Sequence, residues 1–265
     1  MDKKLVVGNW KMNLLREEAL ELSGAIVSLL GEDYDACQVV LVPPYTVLDV
    51  VRRRISGSSI DLGAQNVSGR ISGAFTGEVS APMLLDAGCN WAIIGHSERR
   101  HILGETDEQI REKLLLSISC GLKIILCVGE TEAQREEAIC GSEDISARKE
   151  LLFSPIKIQI ENALHDLDEE RISEDIVIAY EPVWAIGTGK NATSSEIAEI
   201  HVYIRELLTG MFPRLGNSVK ILYGGSVKTG NIEEIMSVDE VDGVLVGGES
   251  LSADSFFRII KSVGG

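Results

Sequence analysis

Residues 176–190 of this chain read IVIAYEPVWAIGTGK. The first five are continuously apolar, which predicts a buried β-strand, and Glu181 follows them directly. Pro182 has no N–H group and cannot continue a strand ladder, so the carboxylate lies at the C-terminal end of the predicted strand. An apolar tip comes next, and then Gly187 and Gly189, whose permissive backbone suits a hinge or a close approach to a ligand. This segment therefore offers a base, a lid and an anion contact.

Similar apolar runs recur along the whole chain, and helical patterns separate each run from the next. We predict eight strands, at residues 5–9, 38–42, 60–65, 91–94, 123–128, 176–181, 219–223 and 241–246. Continuously apolar strands that alternate with helices are typical of a parallel sheet covered by helices. The predicted class is α/β, and the number of units favours a closed (β/α)8 barrel with outer helices. The count alone leaves an open doubly wound sheet as the alternative.

Length and composition narrow the class of protein. Closed α/β barrels of about this length form one domain, so we expect residues 1–265 to be a single domain. No apolar run approaches the ~20 residues that a membrane span needs. The formal net charge is −16, and no stretch has the basic footprint of a nucleic-acid binder. We therefore expect a cytoplasmic protein with neither a membrane nor a nucleic acid as partner.

Two segments interrupt the regular alternation of strand and helix. Residues 66–78 form a long glycine-spaced loop that carries Ile71 and Phe75, which a monomer would expose at some cost. We expect this loop to contact a second copy of the chain. The region 131–173 is too long for one ordinary crossover helix, and it predicts two helical pieces separated by a break at 153–155.

In a closed barrel the loops that follow the strands lie on one rim, where the chemical residues are expected. Glu181 could simply cap the next helix, but its place on this rim beside a lid favours a general base, because a carboxylate that loses water becomes a stronger base. His96 ends the fourth strand. Most histidines are structural, yet a ring facing the N-terminus of the next helical turn would stay neutral and could polarise a carbonyl.

A cation and two glycine pairs also fall on this rim. Lys11 follows the first strand; most lysines are simply solvated, but a fixed cation here would offset the charge of −16 where an anion binds, and Glu98 could pair with it. Gly224-Gly225-Ser226 and Gly247-Gly248 follow the last two strands, whose loops commonly bind phosphate. Each pair alone would be interpreted as a tight turn. Together with Gly187 they predict a phosphate site.

No cofactor or metal is predicted from the sequence. Residues 187–192 match the G-x-G-x-x-A pattern of dinucleotide-binding proteins, but the match begins several residues after its strand, so the context is wrong. The chain has no Walker A motif and no zinc signature. The five cysteines are widely spaced without a C-x-x-C pair, and we expect reduced core residues.

Five motifs resemble those of the triosephosphate isomerase family, in the same order: GNWKMN at 8–13, GHSERR at 95–100, AYEPVWAIGTGK at 179–190, YGGSV at 223–227 and VGG at 246–248. The resemblance covers nearly the whole chain. It implies a TIM barrel that interconverts dihydroxyacetone phosphate and glyceraldehyde 3-phosphate through an enediolate, without a cofactor, as a homodimer joined through the 66–78 loop. The residue roles it implies are a base at Glu181, a neutral electrophile at His96, substrate contacts at Lys11 and Asn9, and phosphate donors at Gly187, Ser226, Gly247 and Gly248.

Two departures and two alternatives accompany this resemblance. Glu249 stands where the family usually has a small residue, and it adds a negative charge beside the predicted phosphate site. Residues 141–154 are interpreted as an insertion. Another sugar-phosphate barrel enzyme is one alternative, although an aldolase would need a Schiff-base lysine on a central strand. The other is a non-catalytic or moonlighting phosphate-binding barrel, which would be expected to lose Glu181 or His96.

Overall fold

The computed structural model describes residues 3–31, 33–141, 144–185 and 191–265. In these residues eight parallel strands form a closed barrel in which each strand pairs with the next and the last pairs with the first. The strands are β1 (Leu5–Asn9), β2 (Gln38–Val42), β3 (Ile60–Ala64), β4 (Trp91–Ile94), β5 (Lys123–Val128), β6 (Ile176–Tyr180), β7 (Lys220–Tyr223) and β8 (Gly243–Val246). The predicted closed (β/α)8 barrel is confirmed, and the open sheet is excluded.

Alternation along each strand decides which side chains enter the barrel. The inner cluster consists of the inward-pointing residues Leu5, Val7, Val40, Val42, Trp91, Ile93, Ile125, Cys127, Val177, Ala179, Leu222 and Leu245. Residues of opposite parity, such as Ile178 and Tyr180, pack against the helices in a larger outer cluster. Because Val177 and Ala179 point inward, the next residue of that parity, Glu181, is directed into the mouth of the barrel.

Helices surround the barrel and connect its strands. They are α1 (Arg16–Leu30), α2 (Leu48–Ile55), α3 (Ala81–Asp86), α4 (Ser97–His101), α5 (Asp107–Cys120), α6 (Glu132–Gly141), α7 (Ile145–Leu164), α8 (Glu169–Asp175), α9 (Ser194–Met211), α10 (Ile232–Met236) and α11 (Ala253–Gly264). Short 3-10 turns lie at Tyr45–Val47, Val183–Ala185, Gly216–Ser218 and Gly248–Leu251. No helix in the described part of the chain is both long and apolar enough to cross a membrane.

The predicted helix break at 153–155 is wrong. α7 continues through Pro155 without interruption. A proline inside a helix costs roughly 3 kcal/mol, since it removes a hydrogen bond and crowds the preceding turn. The buried side chains of Phe153, Ile156 and Ile160, on both sides of the proline, pack into the outer cluster and offset this cost. Tertiary packing therefore outweighs the local preference at this point.

Candidate active site

Glu181 lies at the centre of the polar residues at the C-terminal rim. Its backbone N–H donates to the carbonyl oxygen of Val128 at 2.8 Å, which extends the ladder between β5 and β6 by one residue. The side chain is only 2% exposed. One carboxylate oxygen, Oε2, accepts the backbone N–H of Ser97 at 2.9 Å, and the other, Oε1, lies 3.1 Å from Nε2 of His96. A buried carboxylate is thus held by two donors at the strand end that the sequence predicted.

His96 precedes α4 and is 5% exposed. Its Nδ1 accepts the backbone N–H of Glu98 at 3.3 Å, whereas the Oε2 atom of Glu98 is 3.7 Å away, too far for a hydrogen bond. An Nδ1 atom that accepts a hydrogen bond carries no proton, so the ring proton is on Nε2. Nε2–H therefore points at Oε1 of Glu181, and the role of His96 as a neutral electrophile stays a prediction.

Lys11 is fixed at the site through both its side chain and its backbone. Nζ lies 2.7 Å from Oε1 of Glu98, so the expected pairing is present. The backbone has a φ of 51°, in the left-handed region that non-glycine residues rarely adopt. Its N–H donates to Oδ1 of Asn9 at 3.0 Å, and its carbonyl accepts from Nε2 of Gln65 at 2.7 Å. Such strain persists only where the surroundings determine it, and it is typical of functional sites.

A cavity of about 290 Å³ joins these residues to the glycine loops. Its lining includes Asn9, Lys11, Glu181, Ser226, Gly247 and Gly248, so six of the predicted site residues meet in one space. His96 reaches this group through its contact with Glu181. Gly187, the remaining prediction, lies outside the described residues. Lys228 also lines the cavity and was missed from the sequence, because nothing distinguishes it from an ordinary surface lysine.

Glycine is required at the cavity wall for reasons of space. A Cβ atom on Gly224 would lie 3.0 Å from Cγ of Glu181, and one on Gly225 would lie 2.2 Å from the hydroxyl oxygen of Tyr223. Side chains here would therefore displace the carboxylate or the tyrosine. Their absence lets the backbone of this loop approach a ligand closely. Glu249 lines the same cavity.

A second buried carboxylate, Glu130, holds Trp184, which belongs to the predicted lid. Oε1 of Glu130 accepts the indole N–H of Trp184 at 2.7 Å and the hydroxyl of Tyr180 at 3.1 Å. The guanidinium of Arg135 stacks 4.3 Å from the centre of the Trp184 ring. Burial raises the pKa of Glu130, and the two hydrogen bonds oppose that shift. Residues 186–190, the rest of the predicted lid, lie outside the described residues.

Cys127 lines the barrel interior beside this site. Burial raises the pKa of its thiol well above the usual value, and the nearby charge of Glu181 adds to the effect. The thiol therefore stays neutral beneath the carboxylate. All five cysteines are unpaired, but the expectation that they are core residues holds only for Cys37, Cys89 and Cys127, because Cys120 is half-buried and Cys140 is exposed.

Comparison with known proteins decides the family. A family model described as triosephosphate isomerase matches residues 4–263. The chain belongs to the triosephosphate isomerase family. Triosephosphate isomerase of Rhodopirellula baltica is 47% identical over 259 residues, which cover 97% of this chain and 96% of that protein. The protein of the same name from Chlorobium luteolum is 44% identical over 263 residues, covering 99% of each chain.

A solved structure agrees with the family assignment. The crystal structure of triosephosphate isomerase from Bartonella henselae superposes with a TM-score of 0.84 at 35% sequence identity, and the match covers 98% of each chain. The isomerase class predicted from the sequence motifs is confirmed by these relatives.

Proposed function

We propose that this isomerase interconverts dihydroxyacetone phosphate and D-glyceraldehyde 3-phosphate by proton transfer through an enediolate, with Glu181 as base and His96 as electrophile. One observation carries the proposal: the Glu181 carboxylate and the neutral His96 ring meet at 3.1 Å beside a cavity that contains a fixed lysine and two glycine loops. A base and a donor this close can act on adjacent atoms of one small substrate.

The substrate phosphate would occupy the glycine-lined end of the cavity. There the backbone N–H groups near Ser226, Gly247 and Gly248 are the donors suited to a dianion. Gly187 is proposed as a further phosphate donor. Asn9 and Lys11 line the same cavity, so they would contact the bound substrate. The positive charge of Lys11 would stabilise the negative charge that develops on the enediolate.

Each catalytic group then has one task. Glu181 exchanges its present donors for the substrate and removes a proton from the carbon next to the carbonyl. The C–H electron pair becomes the C=C bond of the enediolate, and the carbonyl oxygen takes up the charge. Nε2–H of His96 donates a hydrogen bond to that oxygen. A proton then passes from the hydroxyl oxygen on the first carbon to the former carbonyl oxygen, so that the first oxygen becomes the new carbonyl. Return of the proton from Glu181 to the former carbonyl carbon completes the other triose phosphate.

A coupled assay with glyceraldehyde 3-phosphate tests this proposal. We expect turnover by the purified protein, and a loss on the order of a hundredfold or more in Glu181→Gln and in His96→Gln, because general acid–base groups contribute about that much. A Ser119→Ala variant, in the exposed last turn of α5, is the control and is expected to turn over normally. Turnover at the unaltered rate in Glu181→Gln would contradict the assignment of the base.

We also propose that two copies associate through the 66–78 loop. Ile71 and Phe75 of this loop are 52% and 46% exposed in the single chain, and Met12 and Ile102 are exposed as well. Covering these apolar side chains would stabilise a dimer. Light scattering at micromolar concentration is expected to give twice the mass of one chain, and a monomer mass would refute the proposal.

The proposal also covers the cellular location, the partners and the domain organisation of the chain. The unpaired cysteines suit a reducing compartment, which supports a cytoplasmic protein. The net charge of −16 argues against a nucleic-acid partner, and we propose no membrane partner. We further propose that residues 1–265 form one domain, with 141–154 as an insertion.

A further inference from the structure

Gln159 connects an outer helix to the active-site rim. It belongs to α7 and is 8% exposed. Its Oε1 accepts the backbone N–H of Gly129 at 2.8 Å, and its Nε2 donates to the carbonyl of the same glycine at 3.1 Å. One side-chain amide thus pairs with both polar groups of one backbone residue. Gln159 supplies the two hydrogen bonds that a neighbouring strand would supply.

These bonds lie just beyond the end of β5. The ladder between β5 and β6 ends with the pair Val128 and Tyr180, followed by the bond from Glu181 N–H to the carbonyl of Val128. Gly129 is the next residue along the chain. The Gln159 amide therefore gives Gly129 the hydrogen bonding of a strand residue, one position beyond the end of β5.

Gly129 packs directly against the backbone of the proposed base. A Cβ atom at Gly129 would lie 1.7 Å from the carbonyl oxygen of Glu181, so the two backbones are in tight contact. The next residue, Glu130, accepts the indole N–H of Trp184 at 2.7 Å. The dipeptide Gly129-Glu130 therefore contacts both the base and Trp184 of the predicted lid.

We propose that Gln159 is a positioning residue: by clamping Gly129, it fixes the dipeptide against which Glu181 and Trp184 are both placed. Without the amide, two buried backbone groups lose their partners, and the dipeptide must move to regain them. That movement would shift the base and the tryptophan together, while the phosphate donors on the loops after β7 and β8 would stay in place. The inference rests on the proposed function.

The first test compares Gln159→Leu with Asn162→Leu. Asn162 lies on the same helix, and its amide donates to Asp107 at 3.2 Å on the surface, so the control removes an amide without touching the dipeptide. We expect Gln159→Leu to lower kcat by roughly ten- to a hundredfold, as small misplacements of catalytic groups do. The inhibition constant for inorganic phosphate is expected to stay within about twofold of the unaltered protein. An unchanged kcat, or an equal loss of phosphate affinity, would overturn the inference.

The second test uses Gln159→Glu, which retains the shape of the side chain. An ionised carboxylate still accepts the N–H of Gly129 but repels its carbonyl oxygen, whereas a protonated carboxyl group donates to it as the amide does. The kcat of this variant, divided by that of the unaltered protein at each pH, is expected to rise as the pH falls. A ratio that does not depend on pH would contradict the clamp.

The third test does not depend on turnover. The three tryptophan indole N–H groups give separate NMR signals after 15N labelling, and only that of Trp184 is bonded to Glu130. Gln159→Leu is expected to shift the Trp184 signal and to leave that of Trp91, which is bonded to Asp61 at 3.3 Å, unchanged. An unmoved Trp184 signal would overturn the inference. If the unaltered protein fails to isomerise triose phosphates, the proposed function fails, and this signal still decides the role of Gln159.

Discussion

Acid is expected to destabilise this protein through one buried histidine, His201. It lies on α9 and is completely buried, with its ring near those of Tyr180 and Tyr223. Nδ1 is 2.9 Å from the carbonyl oxygen of Glu240, which requires a proton on Nδ1. Nε2 has no hydrogen-bond partner among the described residues, so a proton there would be buried without an acceptor. The fold therefore favours the neutral ring.

The loss of folding stability in acid can be calculated from the pKa of His201. Burial lowers the pKa of His201 from 6.5 to about 4, against a smaller opposing effect of the Glu240 carbonyl and the Asp242 carboxylate. The shift of roughly 2.5 units corresponds to about 3 kcal/mol, since each unit is worth about 1.4 kcal/mol. Below pH 6.5 the unfolded chain binds a proton that the folded chain does not bind until about pH 4. Stability contributed by the neutral ring is thus complete above pH 6.5 and lost progressively down to about pH 4.

Urea unfolding of wild type and His201→Asn at one protein concentration measures this contribution. The asparagine amide can still donate to Glu240 but does not titrate, so the carboxylates affect both proteins equally. Between pH 7 and pH 4 we expect the wild type to lose about 3 kcal/mol more than the variant. Any overall loss of packing in the variant is present at every pH and cancels in this comparison. Equal losses in the two proteins would refute the reasoning.

Three further predictions concern the cavity. Glu181→Asp retracts the carboxylate by about 1.5 Å, one C–C bond, and is expected to lower kcat by about a hundredfold or more with phosphate inhibition unchanged in the coupled assay. Lys11→Met removes the fixed cation and is expected to raise KM and weaken binding of inorganic phosphate in a titration; unchanged affinity would exclude Lys11 from the anion site. Glu249→Gln is expected to tighten phosphate binding by about two- to fivefold at low salt, and less at high salt. Asp168→Asn makes the same charge change before α8, on the opposite side of the barrel, and is expected to have no effect; equal changes in both variants would show that only net charge matters.

The positions of the strand ends, together with the alternation of inward and outward side chains along each strand, account for most of this site. The apolar run before Glu181 predicted a strand end, and the alternation along β6 then directs the carboxylate inward. The same reasoning predicted the rim positions of Asn9 and Lys11 after β1. These predictions succeed because a parallel barrel gathers all its strand ends on one rim, whatever the helices between them do.

Contacts between distant elements could not be predicted in this way. The Ser97 N–H that holds Glu181 is a backbone group, and any residue type would supply it. Gln159 reaches Gly129 across 30 positions of sequence from a helix whose very continuity was mispredicted at Pro155. A glutamine at that position of a helix has no local feature that separates it from a solvated one.

The charge of the chain raises the question of how it binds a dianion at all. Salt at physiological strength screens exposed charges beyond about 8 Å, so most of the acidic surface acts weakly on the cavity. Lys11 acts at short range, because Glu98 and a constrained left-handed backbone hold its ammonium group at the cavity wall, although the Glu98 carboxylate offsets part of its charge. Glu249 is different from the remaining carboxylates, since it lines the cavity itself and cannot be screened to the same degree. The balance among the charged residues that line the cavity, Lys11, Lys228 and Glu249, rather than the net charge of −16, should therefore set the affinity for phosphate.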